Sequence, residues 1–411
     1  MRESPCRHSS LWLALAGMLL TAPAIAEVKI AWIDPLSGGA ASAGINAQKH
    51  MTYLIDRLNA AGGLNGEKVA LLSYDNKVDP QESLIALKKA LDDGARFVFQ
   101  GNGSSVALAI TDAVLKYNER NPGKEVLFFN YAAVDPVLTN DKCNFWHFRF
   151  DADADMKMAA LTDAIAKQTQ IKSVYLINQD YSFGRAVAAA AKKMLAEKRP
   201  DIKIVGDELH PLQKVQDFSP YVAKIKASGA DTVITGNWSN DMLLLIKAGK
   251  DAGLKVNWYT YYGGALGSPS AIGKDGLGIV KQISEYHNNA LPELDPDVAA
   301  FKKRFTGKDD EFGYYRLKTT FDMIAAAASK AKSNDPVKLA KALEGMKVNT
   351  TVGEAEMRAD NHQILQPMFV STWSDNVKFD VEKTGLGFKT DVKLNAKDTA
   401  LPTTCKMQRP A

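Results

Sequence analysis

The run Phe97-Val98-Phe99 is apolar without alternation and, after Gln100, stops at Gly101-Asn102-Gly103, after which Ser104 and Ser105 lead into the helical pattern Val106 to Lys116. A short unbroken apolar run reads as a strand buried on both faces, which requires a sheet covered by helices on each side. This stretch therefore constrains the fold: buried strand, tight turn, helix. At the helix start the two hydroxyls and the free backbone N–H groups of the first turn converge on one point beyond the sheet. The helix dipole favours an anion there, and the glycines let a ligand approach the backbone. The same residues serve equally as a plain N-cap and turn, so the rest of the chain has to decide.

The unit recurs on both sides of it. Strand Val28 to Asp34 is followed by the loop Pro35-Leu36-Ser37-Gly38-Gly39 and a helix marked by Ala47, Met51, Leu54, Ile55 and Leu58. Next come strand Lys68 to Tyr74, helix Gln81 to Leu91, the central unit, and strand Val126 to Tyr131. Strands alternating with helices imply a parallel sheet whose ligands bind beyond the carboxyl ends of the strands. A second series begins near Phe148 and runs to strand Val256 to Tyr261, with strand-end loops at Gln179 to Gly184, Gly236 to Asp241 and Tyr261 to Gly264. Aromatic and amide residues gather in these loops. Beyond Val280 the pattern predicts helices near 298–305, 315–331 and 337–343 and a β-rich end from Thr351 to Phe388, segments that return to complete the two earlier cores. At 411 residues the chain is too long for one typical core.

Residues 1–26 are set aside. Arg2 and Arg7 precede an apolar run from Leu11 to Leu20 and then Ala24-Ile25-Ala26, the form of an export signal cut after Ala26. Cys6 lies ahead of that run, so it is not the lipidated cysteine of an anchored lipoprotein. Of the +4 formal charge, +3 remains after cleavage, scattered without a Lys/Arg block, so nothing points to nucleic acid. The two remaining cysteines, Cys143 and Cys405, are expected to pair in an oxidising compartment.

Catalytic and cofactor motifs are missing. His50, His147, His210, His287 and His362 form no H-E-x-x-H or H-x-H pair, so no metal site is expected. Ser104 lies in no G-x-S-x-G elbow, and the Gly38-Gly39 loop has neither G-x-G-x-x-G nor a Walker lysine, so no catalytic residue and no cofactor is assigned. Asp241 fits a turn or a cap, while Asp180, between aromatic neighbours, stands evenly between a turn and a ligand contact.

Several motifs together carry a resemblance: Asp34-Pro35-Leu36-Ser37-Gly38, Asn59-Ala60-Ala61-Gly62-Gly63-Leu64-Asn65-Gly66, Gly103-Ser104-Ser105, Tyr131 to Thr139, and Tyr181-Ser182-Phe183-Gly184-Arg185. Over essentially the whole mature chain the sequence resembles the periplasmic leucine/isoleucine/valine-binding proteins that serve ABC importers. The resemblance implies an α/β fold of two doubly wound parallel-sheet lobes joined by a three-crossing hinge, the type I periplasmic binding protein architecture. It places lobe 1 at 27–147 and 283–360, lobe 2 at 148–282 and 361–392, and a tail at 393–411. It also implies that the ligand carboxylate sits on Ser104, Ser105 and the backbone of Ala132. Val134 stands where the pattern has threonine.

On the same resemblance Phe183 and the Trp238 loop cover the ligand from lobe 2, with Tyr181 beside them. Tyr262 occupies the place of the acidic residue that pairs with a ligand ammonium. Burying an ammonium without a carboxylate costs several kcal/mol, which favours a small organic acid with a flat apolar or aromatic body. A branched-chain amino acid is the alternative, with Asp180 as substitute partner. The implied partners are the small-molecule ligand and the membrane permease subunits of an ABC importer, the location is periplasmic, and the protein is expected to be monomeric. A secreted enzyme or a ligand sensor on the same two-lobed scaffold is the reading from another class.

Overall fold

The computed structural model describes residues 27–307 and 310–410. The expected export signal, residues 1–26, lies outside the described residues.

Five parallel strands form the sheet of the first lobe, in the spatial order Lys68–Asp75, Glu27–Asp34, Phe97–Gln100, Leu127–Asn130 and His147–Arg149. All four residues of Phe97–Gln100 are buried, as the unbroken apolar run requires. The second sheet has seven strands in the order Gly387–Leu394, Met368–Ser374, Val280–Ser284, Asn257–Thr260, Thr232–Thr235, Ser173–Gln179 and Lys203–His210. Five are parallel, and Met368–Ser374 and Gly387–Leu394 add antiparallel pairings at one edge. A small antiparallel sheet, Lys347–Thr350, Gly353–Met357 and Ile364–Leu365, packs on the core of the first lobe.

Local sequence explains most of the helix starts. Asp79 accepts from the N–H groups of Gln81 (2.8 Å) and Glu82 (3.0 Å) with Pro80 as the first helical residue, and Asp153 accepts from Met156 N (2.8 Å). The helix Ser104–Arg120 starts differently. Its N-cap is Gly103 at φ +99°, which provides no side-chain cap. A Cβ there would lie 2.8 Å from Val78, and at Gly101 it would lie 2.6 Å from the Tyr131 ring, so this turn requires glycine twice.

Two of the parallel strands were not anticipated. His147–Arg149 is three residues long and polar at both ends, and Val280–Ser284 alternates with Lys281, Gln282 and Ser284, so neither reads as a buried strand on its own. Their places in the sheets move the crossings between lobes, which follow Arg149, Ser284 and Leu365. Arg149 fastens the first crossing to the third, donating to Gln363 Oε1 (2.6 Å) and Asp135 O (2.5 Å) and pairing with Asp153 (3.1 Å). Cys143 and Cys405 form the expected disulfide, with Cα atoms 5.7 Å apart across a sequence separation of 262. No helix among the described residues is long and apolar enough to cross a membrane.

The lobes are closed on each other. Ser42 Oγ lies 3.4 Å from Ser239 Oγ, Ser239 Oγ also reaches Gly39 O (3.5 Å), and a Cβ on Gly39 would lie 2.9 Å from Gln213 O.

Candidate functional site

Where the carboxyl ends of the two sheets face each other lies a cavity of about 160 Å³. On the first lobe its wall is the turn Gly101 to Ser104 with Ala132 and Val134. Asp34, at the end of the neighbouring strand, supports this turn from beneath. Its buried carboxylate accepts from Gly101 N (3.1 Å), Asn102 N (2.9 Å) and the Tyr131 hydroxyl. Burial pushes Asp34 up to about 7 even though these donors pull the other way. Tyr314 O–H donates to Asn102 Oδ1 (3.2 Å) and fixes the turn from above. With glycine as N-cap, the first-turn N–H groups of Ser104–Arg120 remain turned toward the cavity, a site built for an anion.

Ser104 Oγ accepts from Asp135 N (3.2 Å) and keeps its own proton for a ligand. Ser105 does not line the cavity. Side chains of successive helical residues are set about 100° apart, so turning Ser104 inward turns Ser105 away. Ala132 lines the cavity, but its N–H already donates to Asn130 Oδ1 (3.2 Å), so its carbonyl is what it can offer a ligand. Val134 is buried in the wall and adds only apolar surface.

The second lobe supplies rings. Tyr181, Phe183, Trp238 and Tyr262 all line the cavity. Trp238 Nε1 donates to Tyr181 Oη (2.8 Å), and the Phe183 ring meets the Tyr181 and Tyr262 rings edge-on at 5.9 and 6.2 Å. Asp241 is neither turn nor cap. It is buried behind the wall, accepting from Gln179 Nε2 (2.7 Å) and Gln213 N (2.8 Å), while Gln213 Nε2 donates to Trp238 O (3.0 Å).

Asp180 does not line the cavity. Its carboxylate is about half exposed and pairs with Arg185 at 2.7 Å, one turn along the same helix start, so its polar end is drawn outward.

At the junction of the lobes lies a group of charges that local sequence did not reveal. Lys157 pairs with Asp151 (2.9 Å), and Arg316 pairs with Glu285 (2.6 Å) and lies 3.4 Å from Asp151. Lys157, Glu285 and Arg316 line the cavity, and all four side chains are almost wholly buried. Burial pushes Glu285 up, but the Arg316 guanidinium and the Lys157 ammonium outweigh it and hold the carboxyl below its usual range, so it is ionised. Tyr262 lies over Lys157, with the ammonium 5.1 Å from the ring centre. Tyr262 and Glu285 each follow the end of one of two hydrogen-bonded neighbours, Asn257–Thr260 and Val280–Ser284. A buried carboxylate therefore lies one strand away from Tyr262. Among the described residues no cluster of His, Cys, Asp and Glu is arranged to hold a metal.

Comparison with known proteins agrees with this architecture. The "Leu/Ile/Val-binding protein homolog 4" of Brucella melitensis is 36% identical over 97% of this chain and 96% of its own length. The crystal structure of a leucine-, isoleucine-, valine-, threonine- and alanine-binding protein from Brucella ovis, in its closed conformation, superposes with a TM-score of 0.83 at 34% identity, covering 94% of this chain and all of the other. A solute-binding protein of an ABC transporter from Rhodopseudomonas palustris, in complex with 3,4-dihydroxybenzoic acid, shares the fold at 20% identity, with a TM-score of 0.74 over 90% of this chain and 98% of its own. A family model for periplasmic binding proteins matches residues 27–378. Two lobes closed over a cavity at their strand ends, with relatives matched along nearly the whole length, lead to one assignment: the chain belongs to the periplasmic binding protein family.

Proposed function

We propose that this protein captures a small α-amino acid between its lobes and delivers it to the permease subunits of an ABC importer, acting as an exported, non-catalytic monomer after cleavage behind Ala26. The observation that carries the reading is that the uncapped first turn of Ser104–Arg120 and the ionised Glu285 open into the same cavity. The ligand carboxylate takes the first-turn N–H groups and the Ser104 hydroxyl. Its ammonium takes Glu285 and the Ala132 carbonyl, and its side chain lies against Tyr181, Phe183, Trp238 and Tyr262. Charge-assisted hydrogen bonds contribute about 1.5 to 3 kcal/mol each, so both ends of a zwitterion add to affinity. The names of the Brucella relatives, which bind leucine, isoleucine and valine or are called homologues of such proteins, support the same reading.

A second reading, a small aromatic acid without an ammonium, is favoured by the four-ring wall and by Tyr262 in place of an acid. Calorimetry with leucine, isoleucine, valine and benzoate separates the two. The amino-acid reading expects binding of the aliphatic amino acids and its loss in Glu285→Gln. Tighter binding of benzoate, unaffected by Glu285→Gln, would establish the second reading instead. Native mass spectrometry of protein purified without refolding would identify a retained ligand directly.

A further inference from the structure

Three segments of the chain cross between the lobes, after Arg149, Ser284 and Leu365, and a fourth passes between them further along. The last strand of the second sheet, Gly387–Leu394, pairs along its length with Met368–Ser374. Beyond it Ala396 and Leu401 pack on the core of the second lobe. The turn Ala396–Thr399 also lies against Gly353–Met357 and Ile364–Leu365 of the first lobe, beside the third crossing.

From the Leu401 carbonyl onward the chain is bonded to the first lobe. The Leu401 carbonyl accepts from Arg358 (2.7 Å), and Thr403 Oγ1 donates to Asn140 Oδ1 (2.9 Å). Thr404 N also donates to Asn140 Oδ1 (3.1 Å), Met407 packs on the first core, and Arg409 pairs with Glu344 (2.7 Å). Among these contacts Cys405 is bonded to Cys143.

We propose that this tail is a strap that limits how far the lobes open, with the disulfide as its fixed end. Between Leu394, the last residue paired in the second sheet, and the Leu401 carbonyl, bonded to the first lobe, the link runs through the turn Ala396–Thr399 and Ala400, and Pro402 beyond it holds Leu401 extended. Consecutive Cα atoms are about 3.8 Å apart, so the reach of so short a link is bounded, and it lengthens only by unwinding the turn. Rotation that separates the lobes at this edge must unwind the turn Ala396–Thr399 and pull Ala396 out of the second core, or strip the tail from the first lobe. The disulfide closes the second route, so opening works against burial of apolar side chains. The ligand-free protein is thereby biased toward its closed form, whatever the ligand is. The inference depends on hinge motion and not on the amino-acid reading.

The test is small-angle scattering of the ligand-free protein, with its thermal midpoint measured in parallel. Cys143→Ser/Cys405→Ser is expected to show a larger radius of gyration than wild type. Chains with one and then two Gly-Ser-Gly units inserted between Ala400 and Leu401, disulfide intact, are expected to show stepwise increases. The insertions lengthen the strap without removing the crosslink, so they remain informative if the cysteine variant does not fold. A lowered thermal midpoint with an unchanged radius of gyration in these variants would make the tail a simple staple and overturn the proposal.

Discussion

The two walls of the cleft are built from different materials. The first lobe presents backbone: a turn that needs glycine at Gly101 and Gly103, and the uncapped start of a helix held from beneath by Asp34. The second lobe and the junction present side chains from four neighbouring strand ends: Tyr181, Trp238, Tyr262 and Glu285. Backbone donors accept any carboxylate and cannot be altered by replacing a side chain, whereas rings and charges choose among carboxylates and are replaceable one at a time. The first wall therefore defines a ligand class and the second defines the ligand. Substitutions on the two sides should differ in kind.

The largest effect is expected at the junction. Arg316→Ala removes the guanidinium between Glu285 and Asp151 and leaves two buried carboxylates with Lys157 alone. Breaking a buried pair by removing one partner costs about 3 to 5 kcal/mol, which urea denaturation would read as a large fall in midpoint at unchanged slope.

Beneath the backbone wall the expected effect depends on pH. Burial raises Asp34 to about 7, above its unfolded value, so its contribution to stability is fully present below about 4 and is lost as pH rises toward 7. Wild type should lose about 2 to 4 kcal/mol over that interval relative to Asp34→Asn, which has no such titration. Parallel stability profiles of the two proteins that never diverge would show that the carboxylate is not strained by its burial.

The same division governs what could be read from the sequence. The backbone wall is contiguous, so Phe97 to Ser105 shows it as a buried strand, two glycines and a helix start. The rings were legible too, because each follows a recognisable strand. Glu285 was not: its strand, Val280–Ser284, mixes buried residues with the half-exposed Lys281 and Ser284 in no regular pattern and is enclosed by Met368–Ser374, far along the chain. Lys157 and Arg316 read as solvated positions on their helices and are buried only because the lobes meet. Ser105 and Asp180 show the opposite case. Each lies within one residue of a true lining position, but helix geometry turns one aside and Arg185 draws the other out.

Single substitutions on the two walls sharpen the contrast further. Ser104→Ala removes one donor to the carboxylate and should weaken every carboxylate ligand by about 1.5 to 3 kcal/mol, with little regard to its body. Trp238→Phe deletes the indole N–H held by Tyr181 and part of the ring surface, and should cost about 1 kcal/mol, unequally among ligands. Calorimetry across leucine, valine and benzoate separates a uniform loss from a selective one. A selective loss at Ser104 would mean that the backbone wall discriminates after all.

The smallest effect is expected at Asp180, which sequence reasoning put forward as a stand-in for the missing acid. Its partner is Arg185, and both side chains are largely exposed, so the pair itself contributes between about 0 and 1 kcal/mol to stability and is screened by salt. Because the carboxylate does not line the cavity and is paired with Arg185, Asp180→Ala should leave affinity for amino acids within about 2-fold of wild type, an energy below the lower limit of one charge-assisted hydrogen bond. Glu285→Gln is the matched comparison, since it changes a carboxylate that does face the cavity. A large affinity loss in Asp180→Ala together with normal binding in Glu285→Gln would reverse the assignment. It would place the ammonium contact in the Tyr181 loop, so that the lobe 2 wall rather than the junction decides between a zwitterion and a simple acid.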